Sequence, residues 1–133
     1  PELVMTLATL TGAAMRAIGN YGTAIMGTAG ETEFKKLDDA GSTTYERVAR
    51  LPFWDEYDEE IISDVADIKN LGSDLAGAQT AGKFLARFTK HPYIHLDIAG
   101  PAFLTKKDGY RTKGGTGVGV RLLYSFIKQR AKG

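Results

Sequence analysis

His95 and Asp97 stand two apart in the run Tyr93-Ile94-His95-Leu96-Asp97-Ile98. That spacing puts both on one face of a strand, where an imidazole and a carboxylate can share a metal ion. No third donor stands near them in the chain, so the residues favour a hydrogen-bonded structural pair. Gly114-Gly115-Thr116-Gly117-Val118-Gly119 opens a helix, where free N–H groups and the helix dipole can hold an anion. Residue 120 is Val where a dinucleotide loop needs its last glycine, and no Gly-Lys-Ser/Thr follows as in a phosphate loop. A tight loop packed on neighbouring backbone is the favoured reading. Asp55, Glu56, Asp58, Glu59 and Glu60 form an acidic run that suits a solvated face near a helix N-terminus. Asp64 and Asp67, ahead of Asn70, can hold a loop through side chain to backbone bonds. Ser42, Ser63, Ser73 and Ser125 lie in no Gly-x-Ser-x-Gly elbow, and neither histidine has a serine partner. The residues taken alone give a scaffold without a complete catalytic constellation.

The elements that must carry these groups alternate in type. Leu3 to Ala8, Thr23 to Met26 and Tyr93 to Ile98 are short apolar runs suited to strands of one sheet covered on both faces. In the last of them Ile94, Leu96 and Ile98 share one face and His95 and Asp97 the other. Ala13 to Ile18 is Ala-rich and stops at Gly19-Asn20, which predicts a helix. Thr28 three residues before Glu31 is a capping-box pattern, and Phe34, Leu37, Gly41, Tyr45 and Val48 follow at helical spacing as far as Pro52. Asp55 to Ile62 predicts a short helix with Ile61 and Ile62 as its apolar contact. Asp64 to Gly77 reads as a long ordered loop, a kind often functional in compact domains. Ala81, Phe84, Leu85 and Phe88 predict an amphipathic helix ended at His91-Pro92. The glycines from Gly109 to Gly119 predict a flexible stretch, and Val120, Leu123, Phe126 and Ile127 a terminal helix with Lys128, Arg130 and Lys132 at its negative end. Alternating strands and helices make the fold class α/β, expected as a three-layer α/β/α arrangement.

Composition bounds the rest. The chain has 133 residues, 43% hydrophobic and 25% charged, with no cysteine, which describes one globular segment and excludes disulfides and thiolate metal sites. Seventeen Lys and Arg against sixteen Asp and Glu leave a net charge of +1, too balanced to advertise nucleic acid or an anionic membrane. The longest apolar stretch, Leu3 to Leu10, falls far short of the roughly 18 residues of a spanning helix, and no secretory signal precedes it. The chain opens on Pro1-Glu2 and then at once on a strand-like run, which reads as a piece cut from something longer.

Several blocks in order resemble the leucyl (cytosol) aminopeptidase family of two-metal exopeptidases. They are Ala8-Thr9-Leu10-Thr11-Gly12-Ala13, Arg50-Leu51-Pro52 with Tyr57, Ala66-Asp67 with Asn70 and Gly72, Thr80-Ala81 with Phe84-Leu85 and Phe88, His95-Leu96-Asp97-Ile98-Ala99-Gly100, and Thr116-Gly117 with Val120-Arg121. The departures are Ala49 and Tyr93-Ile94 where the family usually has tryptophan-containing stretches, and Val118 where a basic or small polar residue is common.

The resemblance implies that residues 1–133 are a single segment, the C-terminal part of a zinc-peptidase-like catalytic domain. The family's metal ligands lie upstream, the last of them in an Asn-Thr-Asp-Ala-Glu-Gly-Arg motif that this sequence lacks. The whole enzyme is then expected to use two divalent ions, Zn or Mn, to activate a hydroxide and polarise the scissile carbonyl of a peptide substrate. It is expected to be cytoplasmic and a homohexamer. This segment alone is expected to be inactive, to hold no metal and to contribute no catalytic residue. Its share is the substrate site: Thr9, Leu10 and Gly12 match positions that line the pocket and offer backbone hydrogen bonds, and Ala99 and Ala102 match its floor. Thr9 to Gly12 also lies where a strand hands over to a helix, the edge at which α/β folds usually bind ligands.

The alternative is a non-catalytic module from the same family that binds DNA. Its candidates are Lys106, Lys107, Arg111, Lys113, Arg121, Lys128, Arg130 and Lys132. The charge balance and the lack of aromatics interleaved in that run argue against it.

Overall fold

Tyr93 to Asp97 is buried at every position, so this segment must lie inside a sheet with both faces covered. In the computed structural model, which describes residues 1–132, it is the second of four strands. The elements in chain order are β1 (Val4–Ala8), α1 (Gly12–Ile18), β2 (Thr23–Gly27), α2 (Glu31–Thr44), β3 (Val48–Arg50), α3 (Glu56–Glu59), α4 (Gly77–Ala86), β4 (Tyr93–Asp97), β5 (Phe103–Leu104), β6 (Gly114–Gly115) and α5 (Val120–Arg130). The sheet runs β1-β4-β2-β3, and β5 and β6 form a separate two-stranded ribbon. β1 lies parallel to β4, with Thr6 opposite His95 and Ala8 opposite Asp97. β2 runs antiparallel to β4 and parallel to β3. Of the expected single segment 1–133, Gly133 lies outside the described residues.

The expected three layers are present. Ile25, Ile94 and Leu96 pack on one side against Phe34 and Leu37 of α2 and Leu122 and Phe126 of α5. Ala24 and Met26 pack on the other against Ala14 of α1 and Ala78 of α4. The three predicted strands fall in one sheet, and the alternation within β4 puts Ile94 and Leu96 in the first of these cores. At Gly27 the strands approach so closely that an added Cβ would lie 2.0 Å from the Tyr93 carbonyl oxygen, which leaves room only for hydrogen.

Four expectations change. The helix expected to reach Val48 ends at Thr44, because Tyr45 turns into the left-handed region at φ 57°, and Val48 opens a fourth strand. Three residues are too few to show a period, and Val48 happened to continue the helical one. The Thr28–Glu31 capping box does not form: Gly30 is the N-cap, and Glu31 instead accepts two hydrogen bonds from Arg50, at 2.6 and 2.8 Å. That pairing holds the Glu31 carboxyl below its usual range. The acidic helix shrinks to Glu56–Glu59, with Ile61 buried but Ile62 exposed. Its acids are not all idle, since buried Lys83 of α4 donates to Asp58 at 2.7 Å and to Asp55 at 3.4 Å.

The fourth change concerns α4. Its buried face is Ala78, Thr80, Gly82 and Lys83, while Phe88 stays exposed beyond the helix end. Small residues won this face because the helix crosses β2 closely: a Cβ at Gly82 would stand 2.8 Å from the Met26 sulfur. Phenylalanine at that interface would hold the layers apart.

Candidate functional site

Parallel pairing of β1 with β4 brings two chain turns to one edge of the sheet. After Ala8 the chain passes Thr9, Leu10 and Thr11 into α1, and after Asp97 it passes Ile98 and Ala99 to Gly100. The Ile98 N–H donates to the Ala8 carbonyl at 2.9 Å, which continues the ladder one residue past β4.

Asp97 then ties the turns together. One carboxylate oxygen accepts from the Leu10 N–H at 3.2 Å and from the Ala99 N–H at 3.1 Å. The other accepts from the Thr11 hydroxyl at 2.7 Å. Thr11 is in turn the N-cap of α1, its oxygen accepting from the Ala14 N–H at 3.0 Å. Such a cap is worth about 1 kcal/mol. With 1% of its surface exposed, Asp97 spends its acceptors on three donors of the crevice wall.

This overturns the expected pairing of His95 with Asp97. The two share a sheet face but do not bond each other. His95 Nδ1 lies 2.9 Å from Thr6 Oγ1, and Thr6 Oγ1 lies 2.6 Å from the Tyr93 hydroxyl. His95 Nε2 is buried without a partner among the described residues. Burial pushes the imidazole below its ordinary value, against the opposing pull of the Asp97 charge and of Thr6. Burial also raises the Tyr93 hydroxyl, with the Thr6 bond acting the other way.

Thr9, Leu10 and Gly12 are exposed on the first turn, and Ala99 is half-buried on the second. The Asp97 bonds bring Leu10 and Ala99 to the same edge. Ala102 is less closely tied. It sits beyond Gly100, its N–H on the Ile98 carbonyl and its carbonyl accepting from the Thr116 N–H, both at 3.0 Å. Gly100 is itself required there, since an added Cβ would meet the Gly19 carbonyl oxygen at 2.0 Å.

Sequence reasoning missed the stapling role of Asp97. The available signal was local: an aspartate two residues before a turn N–H is a common way to hold a turn.

A metal does not fit these donors. Both Asp97 oxygens and the His95 Nδ1 are committed, and among the described residues no group of three or more His, Asp or Glu converges. No helix among them is long and apolar enough to cross a membrane.

The glycine-rich loop is also occupied, from within the chain. One oxygen of Glu46 accepts from the Gly119 N–H at 3.0 Å and the Leu122 N–H at 2.9 Å, at the start of α5. Its other oxygen accepts from Arg121 Nε at 3.1 Å. The anion that such a loop can hold is here a buried glutamate; no backbone packs closely on Gly114, Gly115 or Gly117 as the favoured reading expected, and the stretch expected to be flexible joins the β5–β6 ribbon, where Thr116 donates to the Pro101 carbonyl at 2.6 Å.

A family described as the cytosol aminopeptidase family, catalytic domain, matches residues 1–124. A probable cytosol aminopeptidase of Chlorobaculum tepidum is 49% identical over 131 residues, which cover 96% of this chain and 25% of that protein. One from Alkaliphilus metalliredigens is 45% identical over 130 residues, covering 97% and 26%. Among solved structures, a K354E mutant of tomato leucine aminopeptidase superposes with a TM-score of 0.87 at 33% identity, over 96% of this chain and 25% of that one. The chain spans about a quarter of the length of the curated relatives it matches.

Proposed function

The chain belongs to the cytosol aminopeptidase family, and from that premise we propose that it forms the substrate-crevice part of an enzyme releasing N-terminal residues from peptides. The observation that carries this reading is the Asp97 staple, which holds two strand-end turns at one sheet edge. Ligands of α/β folds bind at such edges because the turns leave backbone groups free of the ladder. Thr9 then presents its backbone groups and Leu10 its carbonyl to the peptide, the Leu10 N–H being held by Asp97, and Gly12 allows the chain to approach. Ala99 and Ala102 are small where the substrate side chain needs room.

The divalent ions implied by the family, Zn or Mn, find no group of three donors in residues 1–132, and on this reading the metal centre is built by residues outside this segment. What this chain supplies is orientation: a fixed wall against which the N-terminal residue is held while groups outside this segment carry out the chemistry beside it. On the same reading the enzyme works in the cytoplasm as a homohexamer.

The test is steady-state kinetics of the complete enzyme with Ala99→Phe or Ala102→Phe across substrates with large and small N-terminal residues. A ring placed in the pocket raises KM for leucine and phenylalanine substrates about tenfold while sparing glycine and alanine substrates. If the positions are core, the same changes cost about 1–3 kcal/mol of stability by overpacking and leave selectivity unaltered, which would overturn the assignment.

A further inference from the structure

One cavity has none of the five proposed substrate residues on its wall, although its Pro101 and Thr116 adjoin Ala102. It holds about 580 Å³ between the Asn20–Thr23 and Tyr45–Arg47 corners of the body and the arm formed by residues 108–121. That is the size of a small-molecule site. Three tyrosines on its wall, Tyr21, Tyr45 and Tyr110, are 70%, 69% and 72% exposed, although aromatic rings are among the side chains most readily buried when a partner is at hand.

The charges on the wall are unequal. Arg121 is held by Glu46 and the Tyr110 hydroxyl, and Arg111 by Asp108. Arg47 has no carboxylate partner among the described residues; its guanidinium carbon stands 4.7 Å from the centre of the Tyr45 ring. A guanidinium seated on a ring and otherwise unpaired is ready to accept a carboxylate. The arm adds to the field, since residues 105–113 carry Lys106, Lys107, Arg111 and Lys113 against Asp108 alone. One further group on the wall is unsatisfied: Asn20 Oδ1 is buried without a hydrogen-bond partner and calls for a donor.

We propose that this cleft binds a small aromatic carboxylate that also carries a hydrogen-bond donor. The carboxylate pairs with Arg47, the ring packs among the tyrosines, and the donor meets Asn20. A single negative charge suits the one unpaired arginine, and the Asn20 oxygen disfavours a second. None of the proposed substrate residues lines the cleft, so the proposal stands apart from the peptidase reading.

The experiment is a calorimetric titration of the complete natural polypeptide with 4-hydroxyphenylacetate, its neutral amide, and phenylacetate, repeated on Arg47→Ala and Tyr110→Ala. The hydroxylated acid is expected to bind most tightly, the amide about tenfold more weakly, and phenylacetate in between. Arg47→Ala should weaken the acid about tenfold without altering the amide, and Tyr110→Ala should weaken both. Arg47 is exposed, so its removal leaves the fold intact, as a melting curve will check. Ala99→Phe should leave all three affinities unchanged. No saturable binding, equal binding of acid and amide, or affinity indifferent to Arg47→Ala would overturn the proposal, as would tighter binding of a nucleoside monophosphate.

Discussion

Two buried carboxylates each hold a loop in this molecule, by different means. Asp97 lies inside the sheet at the end of β4, 1% exposed, and is satisfied by two backbone N–H groups and a hydroxyl, with no cation paired to it among the described residues. Glu46 lies between α2 and β3, 9% exposed, and is satisfied by the first N–H groups of α5 and by Arg121, which is itself half in solvent. The crevice turns therefore depend on neutral donors. The arm depends on a helix terminus and a cation that water can reach. Asp97 thus joins two partly open turns to each other through neutral donors, whereas Glu46 joins buried helix-end donors to a cation at the surface.

The sharpest way to break this contrast is Asp97→Ala, which strands three donors at once. We expect a loss of about 4 kcal/mol, measured by urea unfolding, since each buried group left unpaired costs about 1–3 kcal/mol. Asp97→Asn keeps one acceptor oxygen for the Leu10 and Ala99 N–H groups but opposes the Thr11 hydroxyl, and should lose about 2 kcal/mol. Glu46→Ala should lose somewhat less than Asp97→Ala, about 3 kcal/mol, because it strands two N–H groups, those of Gly119 and Leu122, and leaves Arg121 free to turn to water. Equal losses at the two sites would remove the distinction. Hydrogen exchange sharpens it: Glu46→Ala should speed exchange at Gly119 and Leu122 and leave Leu10 and Ala99 unchanged.

The smallest effect comes from His95, sealed beside the Asp97 staple. Its folded pKa lies below the ordinary 6.5 because burial disfavours the charged ring. The unfolded chain therefore binds a proton that the folded chain refuses. The resulting stability is fully present above the unfolded value and is lost as pH falls from there through the depressed folded value. His95→Asn should flatten that fall between pH 7 and pH 5, read as the change in urea midpoint. A wild-type midpoint that rises on acidification through this range would contradict the sealed position.

Much of the architecture was legible in the chain. The runs at Leu3 to Ala8, Thr23 to Met26 and Tyr93 to Ile98 are strands because strand pattern is local: a few apolar residues in succession suffice. Helix faces were read less well. The Phe84, Leu85 and Phe88 stripe has the right period, but Gly82 and Ala78 face the sheet, because how closely a helix must pack is decided by what lies opposite. The crevice residues were legible only through resemblance, since Thr9, Leu10, Ala99 and Ala102 have no chemistry that spacing alone would reveal.

The sequence by itself determined the α/β alternation, the family blocks and the charge balance, all of which depend on neighbours within a turn or two of chain. Tertiary structure alone decided that Asp97 bonds Leu10 and Thr11, more than eighty residues earlier, instead of His95 two residues before it. It also decided that Glu46 fills the glycine-rich loop. A carboxylate goes to whichever donors the packed sheet and helices leave unpaired at its position, and those donors are set by register between distant segments, which no local pattern encodes.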